Sequence, residues 1–305
     1  MRVLNKLRTV VDLARSPYKR VRYCLSPDLL EYFELGAYTK KWIVPKKLPQ
    51  SQIDQYIPLD QMEKMGLQFH DEKQLQSLKC WRANHSSFYK VIRGDQYINT
   101  QFHMENYIHN GYYPTPDAEI YASMILDHKP VHILEIGGGY STLIARKIIS
   151  EANINCSIGV IDPYPRTDIE HAANKVVKKY VEDVSFQEMN ITKDTLLFID
   201  SSHICRSSGD IPYLYCNILP ALPSGVLLHV HDVFLPYDYP LIYKKWLYNE
   251  QYILQGMLSY SQRYEILFST HYLTRMYPRE MQATFGQIVG DNSLFYGASF
   301  WIVVK

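Results

Sequence analysis

Four acidic residues close four short apolar runs. Glu135 lies in Val131-His-Ile-Leu-Glu-Ile136, Asp162 follows Ser157-Ile-Gly-Val-Ile161, Asp200 follows Leu196-Leu-Phe-Ile199, and Asp232 follows Val226-Leu-Leu-His-Val-His231. Apolar runs of this length predict strands covered on both faces. In an open parallel sheet the carboxyl ends of the strands share one rim, where ligands bind. Four carboxylates in strand order therefore predict one shared site.

Two histidines stand beside these acids: His203, three residues past Asp200, and His231, immediately before Asp232. Activating a hydroxyl requires positioning and removal of its proton. An imidazole, with an ordinary pKa of about 6.5, suits a base at neutral pH. His203, Asp200 and His231 are the candidate catalytic residues, with His203 expected to face the acceptor. His229 and His231 alternate in a strand and so share a face; the deeper His229 is expected to be a core histidine.

The first run continues into Gly137-Gly-Gly-Tyr-Ser-Thr142 and then Leu143, Ile144, Ala145, Ile148 and Ile149 at helical spacing. Strand, glycine turn, helix is a nucleotide-binding shape. Glycines let a ligand approach the backbone, and the first helical turn offers unpaired N–H groups. Gly137, Gly138, Gly139, Ser141 and Thr142 are thus candidate cofactor contacts. A dinucleotide fingerprint needs a third glycine where Thr142 stands, which disfavours NAD. Glu135, at the end of a buried strand, needs a partner to offset its desolvation, and a cationic or hydroxyl-rich ligand is the expected one.

The Glu135-x-Gly137-x-Gly139 pattern resembles motif I of the class I S-adenosylmethionine (SAM) dependent methyltransferases. Together with residues 157–162, 196–203 and 229–236 it is similar to the branch containing the macrocin-type O-methyltransferases, over about Asn110 to Lys305. The resemblance implies an α/β fold: a Rossmann-like, mostly parallel sheet of seven strands ending in an antiparallel C-terminal hairpin. It implies that the loop holds the methionine part of SAM and that Asp162 takes the ribose hydroxyls. Asp183 is a candidate for the adenine amino group, and Asp200 also lies on the cofactor side. Catechol-type and macrocin-type relatives bind magnesium through carboxylates at the ends of the fourth and fifth strands. Asp200 and Asp232 match these by position, whereas Val233 replaces the asparagine of the catechol-type pattern. Recruitment of His203 or His231 would favour Mn, Fe or Zn over Mg.

Other elements must position these motifs. Residues 1–105 are read as a mainly helical N-terminal extension or cap, and 106–305 as the methyltransferase domain. Within residues 1–23, seven Lys and Arg face one Asp, and apolar residues recur at helical spacing. This predicts a basic amphipathic helix that either docks on the protein body or contacts a membrane surface. Pro45 and Pro49 break any long helix downstream of it. Thr115 is read as the N-cap of a helix carrying Ala118, Tyr121, Ala122 and Ile125, and the resemblance implies that Tyr112 and Tyr113 lie beside the cofactor pocket. Further helices are expected at 168–180 and from Asp210 to Leu222, with a short strand near 181–184. Strands at 264–269 and 298–304 would close the sheet without a crossover helix.

Composition bounds the function. The 305 residues are 47% hydrophobic and 21% charged, which suits a globular chain. The net charge of +1 gives no general pull toward nucleic acid, so a small-molecule or glycan acceptor is expected. Five cysteines with no C-x-x-C pair suit a reducing, cytoplasmic setting. No apolar run reaches membrane-spanning length.

The leading expectation is an O-methyltransferase using SAM. A nonhaem iron hydroxylase built on His203, His231 and Asp232 is the alternative from another enzyme class, and a non-catalytic SAM-binding scaffold is the third.

Overall fold

The computed structural model describes residues 65–100, 107–165, 167–240, 243, 246–286 and 297–305. The basic stretch 1–23 and the Pro45 to Pro49 break lie outside the described residues.

The described helices and strands, in chain order, begin with α1 (Asp71–Asn84), α2 (Ser86–Arg93) and α3 (Asp117–His128). Then come β1 (His132–Ile136), α4 (Tyr140–Glu151), β2 (Ser157–Ile161), β3 (Lys175–Val177), α5 (Phe186–Met189) and β4 (Thr195–Ile199). The chain continues with α6 (Asp210–Tyr213), β5 (Leu227–Val230), α7 (Glu250–Leu258), β6 (Tyr264–Ser269), α8 (Thr270–Met276), α9 (Pro278–Phe285) and β7 (Phe300–Val304).

The strands form one seven-stranded sheet in the order β3-β2-β1-β4-β5-β7-β6. The pairs β1 with β2, β1 with β4, β2 with β3 and β4 with β5 are parallel, while β7 runs antiparallel to both β5 and β6. This is the expected Rossmann-like, mostly parallel sheet of seven strands, with β7 reversed in a C-terminal antiparallel pair. The apolar runs explain it: every residue of β4 and β5 is buried, as strands covered on both faces require.

The N-terminal helices share this core. Trp81 of α1 packs against Phe268 of β6 with ring centroids 4.8 Å apart, and Tyr89 of α2 bonds Ser123 of α3 at 2.6 Å. Gln74, fully buried, receives the Ser269 N–H at 2.9 Å and donates to the Phe69 carbonyl.

Several local expectations are corrected. In place of a helix at 168–180, β3 forms at 175–177. The edge of β2 needs hydrogen-bond partners, and Asn174 supplies them: its side chain accepts from the Ile158 N–H and its own N–H donates to the Ile158 carbonyl, each at 2.8 Å. Ile169 and Ala172, in the turns before β3, are buried. Val181–Asp183 is a single 3-10 turn rather than a strand. Thr115 does not cap α3; its hydroxyl donates to Glu119 and accepts from the Ile108 N–H, each at 2.8 Å. Two helices, α8 and α9, lie between β6 and β7. Past α6 the chain widens into a π turn over Leu214–Ile218 before a 3-10 turn, and Ile211, Leu214, Tyr215, Ile218, Leu219 and Leu222 are all buried as their spacing indicated.

Candidate active site

The three glycines do three different things. Gly137 takes φ +87°, and a Cβ there would lie 2.0 Å from the Asp200 carbonyl oxygen, so the turn after β1 and the end of β4 meet backbone to backbone. The N–H of Gly138 donates to Asp162 Oδ2 at 2.9 Å, and a Cβ at Gly138 would overlap Val160 and Ile169. Gly139, by contrast, has no atom of the described residues outside its own chain neighbourhood within 4 Å of where a Cβ would stand. Open space therefore lies over the third glycine, beside a carboxylate. A polar cofactor with hydroxyl groups fits such a cradle.

Below the loop, Ser141 and Thr142 are buried. Thr142 Oγ1 donates to Glu135 and accepts from the Gly139 N–H at 3.2 Å, and Tyr121 adds a second hydroxyl to Glu135 at 3.1 Å. Glu135 is fully buried, and burial lifts its pKa to about 7 against the pull of these hydroxyls. The expected ligand partner of Glu135 is thus replaced by protein hydroxyls. The other oxygen of Asp162, Oδ1, receives the Tyr164 N–H at 2.7 Å. Tyr112, half exposed, stacks on Tyr140 at 6.0 Å where α4 begins, whereas Tyr113 is buried with its ring 4.9 Å from that of His231. Asp183 is exposed on its 3-10 turn, and among the described residues no hydrogen bond joins it to the loop.

Two histidines and two aspartates converge at the ends of β4 and β5. His203 Nε2 lies 3.2 Å from Asp200 Oδ1 and 3.4 Å from Asp232 Oδ2. His231 Nδ1 lies 3.5 Å from Asp200 Oδ1 and 3.7 Å from Asp232 Oδ1. Asp200, His231 and Asp232 each offer a ligand atom within 4.8 Å of the others, a set that fits a metal ion with mixed nitrogen and oxygen donors. His203 and Asp232 both hold left-handed backbone, φ +60° and +54°, an uncommon state for residues with a Cβ. Asp200 is the most open of the four, with 35% of its side chain exposed.

Electrostatics tie the group together. Burial pulls His203 down, but Asp200, Glu250 and Asp232 outweigh it and hold the imidazole well above its ordinary pKa. Burial likewise pulls His231 down, but Asp200, Asp232 and Asp117 outweigh it and hold the imidazole well above its ordinary pKa. Asp200 ends well below the usual carboxylate range: burial raises it, but both imidazoles lower it further. Asp232 moves the other way, because its burial and the Asp200 charge beside it prevail over the histidines. His203 is therefore not the exposed, neutral-pH base that its sequence position suggested; it is buried and charge-paired. His229, as expected, is a core residue, stacked on Phe198 at 4.0 Å and bonded to Ser299 at 3.0 Å, with burial holding it neutral.

Three contributors carried no local signal in the sequence. Glu250, 47 residues from His203, meets its Nδ1 at 2.9 Å, and Tyr215 donates to the same carboxylate at 2.8 Å. Asp117 reads as a helix-dipole residue, yet it accepts the N–H groups of Ala298 and Ser299 and stands 3.6 Å from His231 Nε2.

No family model matches the chain, and no curated protein matches it. Among solved structures, the chain is similar to an S-adenosylhomocysteine (SAH) bound methyltransferase of Podospora anserina, at 14% identity over 77% of this chain and 88% of that one, with a TM-score of 0.39. It is also similar to the plantazolicin methyltransferase BpumL in complex with SAH, at 13% identity over 81% and 98%, with a TM-score of 0.39. Superposition at that level carries no assignment. Among the described residues no helix is long and apolar enough to cross a membrane.

Proposed function

We propose that this chain is a SAM-dependent methyltransferase that methylates a hydroxyl of a small-molecule or glycan acceptor. The observation that carries the reading is the hydrogen bond from Gly138 to Asp162 beside the open space over Gly139. It sets a glycine turn, a carboxylate and the first turn of α4 around one volume. Gly138, Gly139 and Asp162 would hold the cofactor, which when bound supplies an electrophilic methyl group on a sulfonium. That methyl would go to the acceptor oxygen, and the hydroxyl proton would pass to a carboxylate of the rim, Asp200 or Asp232, both of which face the charge-paired His203. The rings of Tyr243, Trp246 and Tyr248 crowd one another beside this network, Tyr248 lying 4.6 Å from His203, which supports an acceptor with a ring face.

Calorimetric titration with SAM and SAH, with NAD as control, tests the reading. Micromolar SAM binding that is lost in Asp162→Ala supports it, and a folded protein that binds neither sulfur compound refutes it.

The convergence of His203, His231 and Asp232 favours one second reading, a nonhaem iron hydroxylase. It leaves the Gly138 to Asp162 pair without a role. Bound iron and 2-oxoglutarate dependence would decide for it.

A further inference from the structure

Glu250 opens α7 with its carboxylate completely buried. A carboxylate is retained in such a place only when its oxygens are satisfied. Both are: Tyr215 donates to Oε1 at 2.8 Å, and Oε2 faces His203 Nδ1 at 2.9 Å. The contact continues along the main chain, where the His203 carbonyl accepts the N–H groups of Asn249 at 3.0 Å and Glu250 at 3.3 Å. Asn249 Oδ1 in turn takes the Cys205 N–H at 2.6 Å. The start of α7 thus grips a left-handed residue by its ring and by the main chain that follows it.

The two nitrogens of an imidazole are distinct, and the partner of one decides what the other presents. With Nδ1 against Glu250, Nε2 is the nitrogen turned between Asp200 and Asp232. His231 repeats the plan, with Asp117 behind Nε2 and Nδ1 turned to the same two aspartates.

We propose that Glu250 is a positioning residue for His203: its carboxylate, held by Tyr215, accepts the Nδ1 proton in a hydrogen bond and so fixes the ring with Nε2 turned to the rim. The proposal rests on the methyltransferase reading only in taking that rim as the reacting centre.

The test is long-range proton–nitrogen NMR of the full chain labelled with 15N-histidine, the His203 signals being assigned with His203→Gln. In the wild type, Nδ1 of His203 carries a downfield proton protected from exchange. Near-isosteric Glu250→Gln moves that proton upfield, Glu250→Ala exposes it to rapid exchange, and Tyr215→Phe shifts it by less than either. A wild-type His203 bare at Nδ1 overturns the proposal even if no variant folds, and so does a signal unchanged in Glu250→Gln. SAH titration of the same samples separates the two claims: a wild type that does not bind SAH counts against the methyltransferase reading, while the nitrogen signals still decide the role of Glu250.

Discussion

The N–H of Gly138 and the carboxylate of Asp162 are joined across 2.9 Å, so the turn after β1 and the acidic end of β2 form one unit. Asp162 has its other oxygen on the Tyr164 N–H, which fixes the carboxylate plane before any ligand arrives. A preset, partly open carboxylate suits a pair of ribose hydroxyls. Hydrogen bonds to a charged group contribute about 1.5–3 kcal/mol. Asp162→Ala is therefore expected to weaken SAM binding roughly 10- to 100-fold with the fold retained. Calorimetry with SAM and SAH measures this; equal affinities would remove Asp162 from the cofactor site.

The glycines make opposed predictions. Gly137→Ala sets a Cβ on the Asp200 carbonyl at a φ of +87°, which no rotamer relieves. Left-handed backbone alone costs roughly 1–2 kcal/mol, so the melting temperature should fall by several degrees. Gly139→Ala meets nothing within 4 Å among the described residues; its melting temperature should stay close to that of the wild type while SAH affinity drops. Thermal unfolding with and without SAH reads both, and a Gly139→Ala protein that binds SAH normally would move the cofactor away from the third glycine.

How much of the molecule the sequence reveals depends on how local each signal is. β4 and the turn after β1 were legible because an apolar run covered on both faces and a glycine triplet are statements about adjacent residues. The acids at the four strand ends were legible because strand order brings carboxyl ends together. The stretch at 168–180 was not, since Lys175–Val177 is fixed by pairing with the edge of β2 rather than by its own local pattern. Glu250 and Asp117 were invisible for a related reason. Their partners lie far along the chain, and each resembles an ordinary acidic residue in the first turn of a helix. The same distance misled the reading of His203, whose pKa is set by three carboxylates of which only Asp200 is a sequence neighbour.

Glu135 gives the chain a pH signature. Its pKa is 4.5 when unperturbed and about 7 in the folded protein, burial being the main cause. Between those values the folded state holds more protons than the unfolded state, so this contribution is complete below about pH 4.5 and is lost as pH rises through 7. The shift corresponds to roughly 3 kcal/mol. Urea unfolding of Glu135→Gln and wild type should diverge over that window, the wild type losing about that much stability relative to the variant as pH rises. Parallel curves would mean that Thr142 and Tyr121 keep the carboxylate ionised at its ordinary pKa.

The donors set the metal preference. Asp200 and Asp232 alone would suit a hard cation held by oxygen, but His231 lies within the same 4.8 Å set and His203 Nε2 faces both aspartates. Imidazole nitrogen favours the first-row transition ions over magnesium. Mn or Co is expected to bind at least about tenfold more tightly than Mg, and the backing of each histidine by a buried carboxylate strengthens that preference. His231→Gln should shrink the difference while leaving SAH affinity unchanged, because His231, just past the end of β5, lies on the far side of Asp200 from the glycine turn in the strand order. Competition titrations with Mg against Mn and Co check this. Magnesium binding as tight as manganese would assign the site to the carboxylates alone and leave both histidines to proton handling.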